Sequence, residues 1–165
     1  MFSLFKILDF LEKNIFQVAT TLKNNKEEKQ KEICKLKNID WTKDNILPNF
    51  PKSLLKEYGF QDKPILLKFN VIDRNFNDRH KDIDKEKAIR ILGNALYKTD
   101  EIFYGRVDRP NYYNLITRID EKHNDLVTVE LSNEKDNYEI VHFFVIRNTT
   151  RKKYERYNNE LKNKS

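Results

Sequence analysis

Three segments in the second half of the chain alternate apolar and polar residues with a period of two. They cover about residues 112–119, 126–132 and 138–147, and two short polar loops, EKHND and NEKDN, join them. A period of two is typical of a strand with one buried face, and short polar loops favour antiparallel pairing of consecutive strands. The pattern predicts a three-stranded meander, which needs a second layer to cover its apolar face.

A helix is the layer that the sequence offers. Asp82 or Asp84 can cap a helix that continues to Lys98. Its apolar residues recur on one side, at Ile83, Ala88, Ile91, Leu92, Ala95 and Leu96. The apolar run at residues 64–72 is predicted to be a further strand. Together these elements predict an α+β fold, in which a helix packs on a small antiparallel sheet.

The N-terminal segment has apolar residues at alternating spacings of four and three, the a/d pattern of a helix with a narrow apolar seam. The seam residues are Leu4, Leu8, Leu11, Ile15, Val18 and Leu22. We expect a helix from about residue 3 to 23, with a continuation or a second helix to about residue 37. Docking on the chain's own domain and docking on a partner, including self-association, both remain open. A membrane surface is less favoured, because the polar face is mixed rather than cationic.

Composition changes along the chain predict four regions. Residues 1–37 form a helical segment, residues 38–63 a connector with a short helix, residues 64–148 the α+β domain, and residues 149–165 a basic tail. Lys and Arg total 32 against 26 Asp and Glu, a net charge of +6. The charge is +3 over residues 1–63, −1 over residues 64–148 and +4 over the tail. The basicity therefore lies in the flanks and is not by itself evidence for nucleic-acid binding.

The chain contains one cysteine, Cys34, which excludes an intramolecular disulfide framework and fits either a reducing compartment or indifference to redox conditions. The sequence contains no apolar run near the ~20 residues that span a bilayer. We therefore expect a cytoplasmic location and no membrane partner. No metal-binding motif or glycine-rich phosphate loop is present, so no metal and no cofactor are predicted.

Alternation assigns the two faces of the meander. One face, the expected core, carries Tyr113, Leu115, Ile119, Val127, Val129, Leu131, Val141, Phe143 and Val145. The other, expected to be open, carries Tyr112, Asn114, Ile116, Arg118, Thr128, Glu130, Tyr138, Ile140, His142, Phe144 and Ile146. If residue 120 pairs with 126 and residue 132 with 138, then Arg118, Thr128 and His142 form one row, with Glu130 diagonal to it.

A cation, a carboxylate and an imidazole on one open sheet face are the components of a metal-independent ribonuclease. A base takes the proton of the RNA 2′-hydroxyl, an acid protonates the leaving 5′-oxygen, and Arg stabilises the charge at phosphorus. The candidate catalytic residues here are Arg118, Glu130 and His142. The candidate substrate-binding residues are Tyr112, Thr128, Tyr138, Arg147 and Thr149. Solvated cross-strand pairs and a mobile basic terminus are the alternative interpretations of the same residues.

The sequence also resembles a known family in the segments HKDIDKEKAIRILGNALY, RPNYYNLITRIDEK and VTVELSNEKDNYEIVHFFVI, within about residues 62–147. The family is the phage-associated barnase/EndoU/colicin/RelE-like nuclease domain. The resemblance implies a ribonuclease-like fold and cleavage of RNA without a metal. His80 matches a histidine typical of that family, which makes it the first candidate for general acid or base. His142 departs from the family pattern and is either an addition to the site or incidental.

The function predicted from this resemblance is a phage-derived ribonuclease of the toxin or effector type. RNA is then the expected partner, with an immunity protein or a phage structural protein as a possible second one. The alternative is a non-catalytic accessory protein of a phage, which uses the same fold to bind RNA or protein.

Overall fold

One six-stranded sheet forms the centre of the chain in the computed structural model, which describes residues 4–106 and 108–164. The helices are α1 (Leu4–Lys35), α2 (Lys52–Tyr58), α3 (Phe69–Asp73), α4 (Lys85–Tyr97) and α5 (Asn148–Asn163). The strands are β1 (Asn45–Leu47), β2 (Ile65–Leu67), β3 (Glu101–Arg106), β4 (Arg109–Arg118), β5 (His123–Glu130) and β6 (Tyr138–Arg147). The α+β prediction is confirmed.

The strand order is β1-β2-β6-β5-β4-β3, so the predicted meander β4-β5-β6 lies inside a larger sheet. All neighbouring pairs are antiparallel except β2 and β6, which run parallel. The sheet is therefore mixed, whereas the sequence predicted a small antiparallel one. The predicted meander omitted β3, and the region assigned to a connector contains β1. Strand β1 has only three residues, and so short a strand carries little periodicity.

Helix α4 begins as predicted, since the Asp84 side chain accepts a hydrogen bond from the Lys87 N–H at 2.7 Å. Its apolar face packs on the sheet, and Ile91, Leu92 and Leu96 are fully buried. The connector also reaches this core, through Leu47, Phe50 and Leu54. Gly59 ends α2 with a φ of 68°, a left-handed conformation that glycine adopts without strain.

The run at residues 64–72 is only partly a strand. Strand β2 stops at Leu67, and α3 begins at Phe69, where the Asp44 carboxylate accepts the backbone N–H at 2.7 Å. This carboxylate satisfies a donor that a helix leaves unpaired at its first turn. Asp44 lies far away in the sequence, so the local pattern did not reveal the helix.

The predicted pairing of β4 with β5 is wrong. Thr128 lies opposite Asn114, and Arg118 lies opposite Asn124. The turn is shorter than expected, because the Asp120 carboxylate accepts the N–H groups of Lys122 and His123 at 2.7 and 2.8 Å. The change moves the partner of Thr128 by four residues along β4. An even displacement preserves the faces of a strand, so Leu115 and Val127 still point to the core.

A bulge in β6 changes the faces at one end of the sheet. Thr128 pairs with His142 as predicted, but the next residue, Val129, pairs with Ile140, which leaves Val141 as the extra residue. Tyr138 and Ile140 therefore turn into the core with α4, and Val141 lies outside it. The predicted positions of these three side chains are wrong for this reason.

The face opposite α4 is not fully open, because α5 packs across it. Phe103, Ile116, Leu126 and Ile146 form a second apolar cluster under Tyr154 of α5. The segment interpreted as a basic tail is thus a docked helix. Arg151 pairs with Glu101, and the buried Asn158 side chain accepts the Tyr104 N–H at 3.0 Å. These contacts satisfy polar groups of the edge strand β3.

Candidate functional site

The bulge in β6 lies next to a π-helical turn, Arg74–Arg79, that follows α3. Strand β2 pairs with β6 only at Tyr138 and Glu139, so the following carbonyls of β6 need other donors. Arg74 donates a hydrogen bond from Nη2 to the Val141 carbonyl, and Asn75 donates one from Nδ2 to the Phe143 carbonyl, both at 2.7 Å. The sheet edge therefore fixes the π-helical turn, and with it the positions of Arg74 and Arg79.

A cleft of about 490 Å³ opens between this turn, the start of β4 and α5. We call it the arginine cleft. Its lining residues are Arg74, Arg79, Gly105, Arg109, Tyr112, Asn114, Thr128, Val141, His142 and Tyr154. Three of them are arginines, contributed by two separate elements, and none of these lining residues is acidic. Such a lining attracts anions, and planar guanidinium groups suit phosphate oxygens in particular.

Three polar residues form a row across the floor of the arginine cleft, one each from β4, β5 and β6. The hydroxyl of Thr128 donates to Oδ1 of Asn114 at 2.6 Å and lies 2.8 Å from Nε2 of His142. A hydroxyl has a single proton to donate. Because that proton points to Asn114, Nε2 of His142 must carry the hydrogen and donate to Thr128. The row therefore fixes the tautomer of His142 and leaves the Nδ1 lone pair as its acceptor.

Both imidazoles near the cleft favour their neutral forms. Burial lowers the pKa of His142 to about 4, and the positive charges of Arg74 and Arg79 act in the same direction. Burial also lowers the pKa of His80, against the smaller opposite effect of Asp82. The His80 ring stacks on Phe144 at 4.8 Å between centroids, and His142 lies 5.2 Å from the same ring. The structure thus brings the two histidines to one aromatic side chain.

The entrance of the arginine cleft carries an aromatic platform. The guanidinium of Arg109 lies over the ring of Tyr112, 5.4 Å from its centroid, and its Nη1 donates to the Tyr112 hydroxyl at 3.4 Å. A cation held on an aromatic face at the rim of a cationic cleft presents a positive charge and a stacking surface side by side.

Six of the nine residues predicted for the site do not line the cleft: Arg118, Glu130, Arg147, Thr149, Tyr138, which lies in the core, and His80, which lies beside the cleft. Arg118 is four residues from the Thr128 row, roughly 13 Å away along the strand, and donates to the Asp120 carbonyl. Glu130 lies on the face of the cleft but pairs with Lys135 at 3.1 Å. Two more, Arg147 and Thr149, are exposed where β6 meets α5.

Tyr138 is 1% exposed, and its hydroxyl donates to the Gln61 carbonyl at 3.0 Å. It is therefore a core residue and cannot stack a base. Of the predicted site residues, Tyr112, Thr128 and His142 line the arginine cleft, and His80 lies beside it through Phe144.

The sequence analysis missed the three cleft arginines and Asn114. Arg74 and Arg79 are five residues apart, which matches the i to i+5 hydrogen bond of a π-helical turn. In an α-helix the same spacing would point the two side chains in different directions, so the pattern gave no signal. Asn114 had been assigned to the correct face, and the correct register alone would have placed it beside Thr128.

The described residues contain no group of three or more His, Cys, Asp or Glu side chains that could hold a metal ion. Among the helices within the described ranges, none is long and apolar enough to cross a membrane.

The mixed sheet with helices on both faces defines an α+β domain, and its arginine cleft gives that domain a cationic surface. The chain matches the family model of large polyvalent protein-associated domain 13 over residues 19–158, well over half of its length. It belongs to that family, which is a phage-associated domain. The match begins within α1 and ends within α5, so it extends beyond the segments in which the nuclease resemblance was seen. Neither the curated proteins nor the solved structures contain a match.

Proposed function

We propose that the arginine cleft binds the phosphodiester backbone of RNA and cleaves it without a metal ion. One observation carries the proposal: arginines from the π-helical turn and from β4 surround a histidine whose tautomer is fixed by the Asn114–Thr128 row. The family membership supports a phage-associated role. The nuclease activity rests on the cleft and on the sequence resemblance.

The chemistry assigns one role to each imidazole. Nδ1 of His142 accepts the proton of the 2′-hydroxyl, the 2′-oxygen attacks phosphorus, and the bond from phosphorus to the 5′-oxygen breaks. The protonated form of His80 gives its proton to that 5′-oxygen. The products are a 2′,3′-cyclic phosphate and a free 5′-hydroxyl. Arg74, Arg79 and Arg109 stabilise the negative charge that builds at phosphorus. DNA lacks the 2′-hydroxyl, so it would bind without being cut.

The histidine pKa values set the expected pH range. The base must be neutral, which it is above pH about 4, and the acid must be protonated, which requires a pH near or below its lowered pKa. Cleavage should therefore follow a bell-shaped profile with its optimum on the acidic side of pH 6.5. A maximum above pH 8 would contradict the assignment of His80 as the acid.

The experiment measures binding and cleavage separately. Fluorescence anisotropy with a single-stranded RNA oligonucleotide gives affinity across a salt series, and gel analysis with EDTA present gives cleavage. Arg109→Ala should weaken binding and reduce the salt slope by about one. Arg118→Ala is the matched control, since it removes an exposed arginine outside the cleft. His142→Gln should abolish cleavage and leave RNA binding unchanged.

Two outcomes would overturn parts of the proposal. Binding without cleavage by the wild-type chain would leave a non-catalytic RNA-binding domain, which is the alternative function. Equal losses of affinity in Arg109→Ala and Arg118→Ala would show that binding depends on overall charge rather than on the arginine cleft.

A further inference from the structure

Helix α1 exposes its apolar seam over most of its length. Every residue from Leu4 to Asn24 is exposed, and no residue of the 32-residue helix is buried. The seam residues Leu11, Ile15 and Leu22 are 49%, 67% and 63% exposed. Isolated apolar residues on a surface are ordinary, but a continuous stripe of this size marks an interaction site.

The seam continues onto the face with which α1 packs against its own chain. Leu22 and Ile33 are 11 residues apart, about three turns of an α-helix, so they lie on one side of it. Ile33 and Leu36 pack against Gly93 of α4. The globular part of the chain therefore sits on the seam side of α1, beyond the end of the exposed stripe.

We propose that the exposed seam binds the same seam of a second copy of this chain, with the two α1 helices antiparallel. A parallel pair would bring both globular parts to the same level on the facing sides of the helices, where they would collide. In an antiparallel pair, each helix ends where the globular part of the other copy begins. The shared length, residues 4–22, is about 28 Å.

The residue pattern is self-complementary in this alignment. Leu4 faces Leu22 of the second copy, Leu8 faces Val18, and Leu11 faces Ile15, so every layer is apolar. Eight apolar side chains at the seam and its flanks, each burying on the order of 80 Å², would remove roughly 1,300 Å² from water, above the ~1,000 Å² that a specific interface needs. The exposed side chains involved are Leu4, Phe5, Ile7, Leu8, Leu11, Ile15, Val18 and Leu22.

A groove is present where the end of the partner helix would lie. It has a volume of about 700 Å³ and opens between α1 and α2, with Leu22, Asn25 and Lys29 on one side and Ser53 and Glu57 on the other. The first turn of the second helix would enter it. One feature opposes the pairing. In the antiparallel dimer, Glu12 lies beside Glu12 of the second copy at the solvent-exposed flank, and the two negative charges repel each other. Glu12→Gln should therefore tighten the dimer.

The test measures molar mass by sedimentation and light scattering over a concentration series. The wild-type chain should form a species of twice 20.0 kDa. Leu11→Glu and Ile15→Glu should each weaken dimerisation by ~10-fold or more. The matched control, Phe10→Ser, removes an exposed aromatic residue outside the seam and its flanks and should leave the dimer intact. Circular dichroism verifies that each variant is folded.

Cysteine cross-linking then determines the orientation, in a Cys34→Ser background. A mixture of Leu8→Cys and Val18→Cys chains should form a disulfide-linked pair, and neither variant should cross-link with itself. Self-cross-linking of Leu8→Cys would overturn the antiparallel arrangement. A wild-type chain that stays monomeric at ~100 μM would overturn the proposal. In that case, binding to phosphatidylcholine–phosphatidylserine vesicles would assign the seam to a membrane surface, and no binding would assign it to a different protein.

Discussion

Helices α1 and α4 carry the same kind of sequence pattern and have opposite surroundings. Both repeat apolar residues on one face, yet Ile91 and Leu92 of α4 are fully buried, whereas Leu8 and Leu11 of α1 are each 49% exposed. The amphipathic pattern predicts that one face of a helix avoids water, but it does not identify the surface against which that face packs. In α4 the partner is the sheet of the same chain. In α1 the exposed part of the seam has no partner among the described residues.

The largest expected contrast is between two leucines, one on each helix. Leu92→Ala should lower the free energy of unfolding by about 2–5 kcal/mol, because it leaves a cavity in a closely packed core. Leu11→Ala should change it by less than ~0.5 kcal/mol at a protein concentration at which the chain is monomeric. Urea denaturation measures both. A large loss for Leu11→Ala in the monomer would mean that α1 folds back onto its own chain.

Ion pairs provide a second contrast. Asp125 is fully buried and accepts hydrogen bonds from Arg90 at 2.8 Å and Asn94 at 2.9 Å, which join β5 to α4. Asp125→Ala should lower the free energy of unfolding by about 2–3 kcal/mol. This loss is smaller than that for a fully buried ion pair, because Arg90 remains in contact with water.

The matched change on α1 is Asp9→Ala, which breaks an exposed pair with Lys13. It should cost only ~0.3–0.5 kcal/mol. Comparable losses of unfolding free energy for the two variants would show that Asp125 is not held in the core as described.

A smaller change in the free energy of unfolding should appear when the pH is varied. It should arise in the globular part of the chain, because all three histidines lie outside α1. The pKa of His142 is about 4 in the folded chain, below the ordinary value of 6.5. Between these values the unfolded chain binds more protons, so stability is complete above pH 6.5 and decreases as the pH falls. The loss should reach about 2 kcal/mol at pH 5.

Urea denaturation between pH 5 and 7 measures this dependence. His142→Gln should remove most of the slope, because the titrating group is gone. His123→Gln, a change at an exposed histidine, should retain it. A slope that is equal in both variants would contradict the burial of His142.

Much of the architecture could be predicted because it depends on local patterns. The period-two segments specified β4, β5 and β6, the seam specified α1, and the Asp84 cap specified the start of α4. The pairing of Thr128 with His142 agrees with the prediction, but the pairing nearer the loop, Glu130 with Glu139, is shifted by one residue, and the bulge offsets that shift. Of the candidate site, Tyr112, Thr128 and His142 could be predicted because they lie on the expected face.

The rest depended on hydrogen bonds and irregularities of the backbone that hydrophobic periodicity does not reveal. Arg118 left the predicted row because the Asp120 side chain shortened a turn. Tyr138 entered the core because one extra residue bulged out of β6. The π-helical turn that carries Arg74 and Arg79 lies at the cleft because Arg74 and Asn75 donate to the carbonyls of Val141 and Phe143 in β6.

The sequence by itself determined the fold class, the helix–sheet core and the amphipathic character of α1, since hydrophobic periodicity encodes which faces avoid water. Only the tertiary structure decided the register, the bulge and the composition of the arginine cleft. The physical reason is that buried backbone groups must find hydrogen-bond partners wherever the folded chain provides them. In this protein some of those partners are local, as at Asp120, and others, such as Asp44 and Arg74, come from side chains far away in the sequence.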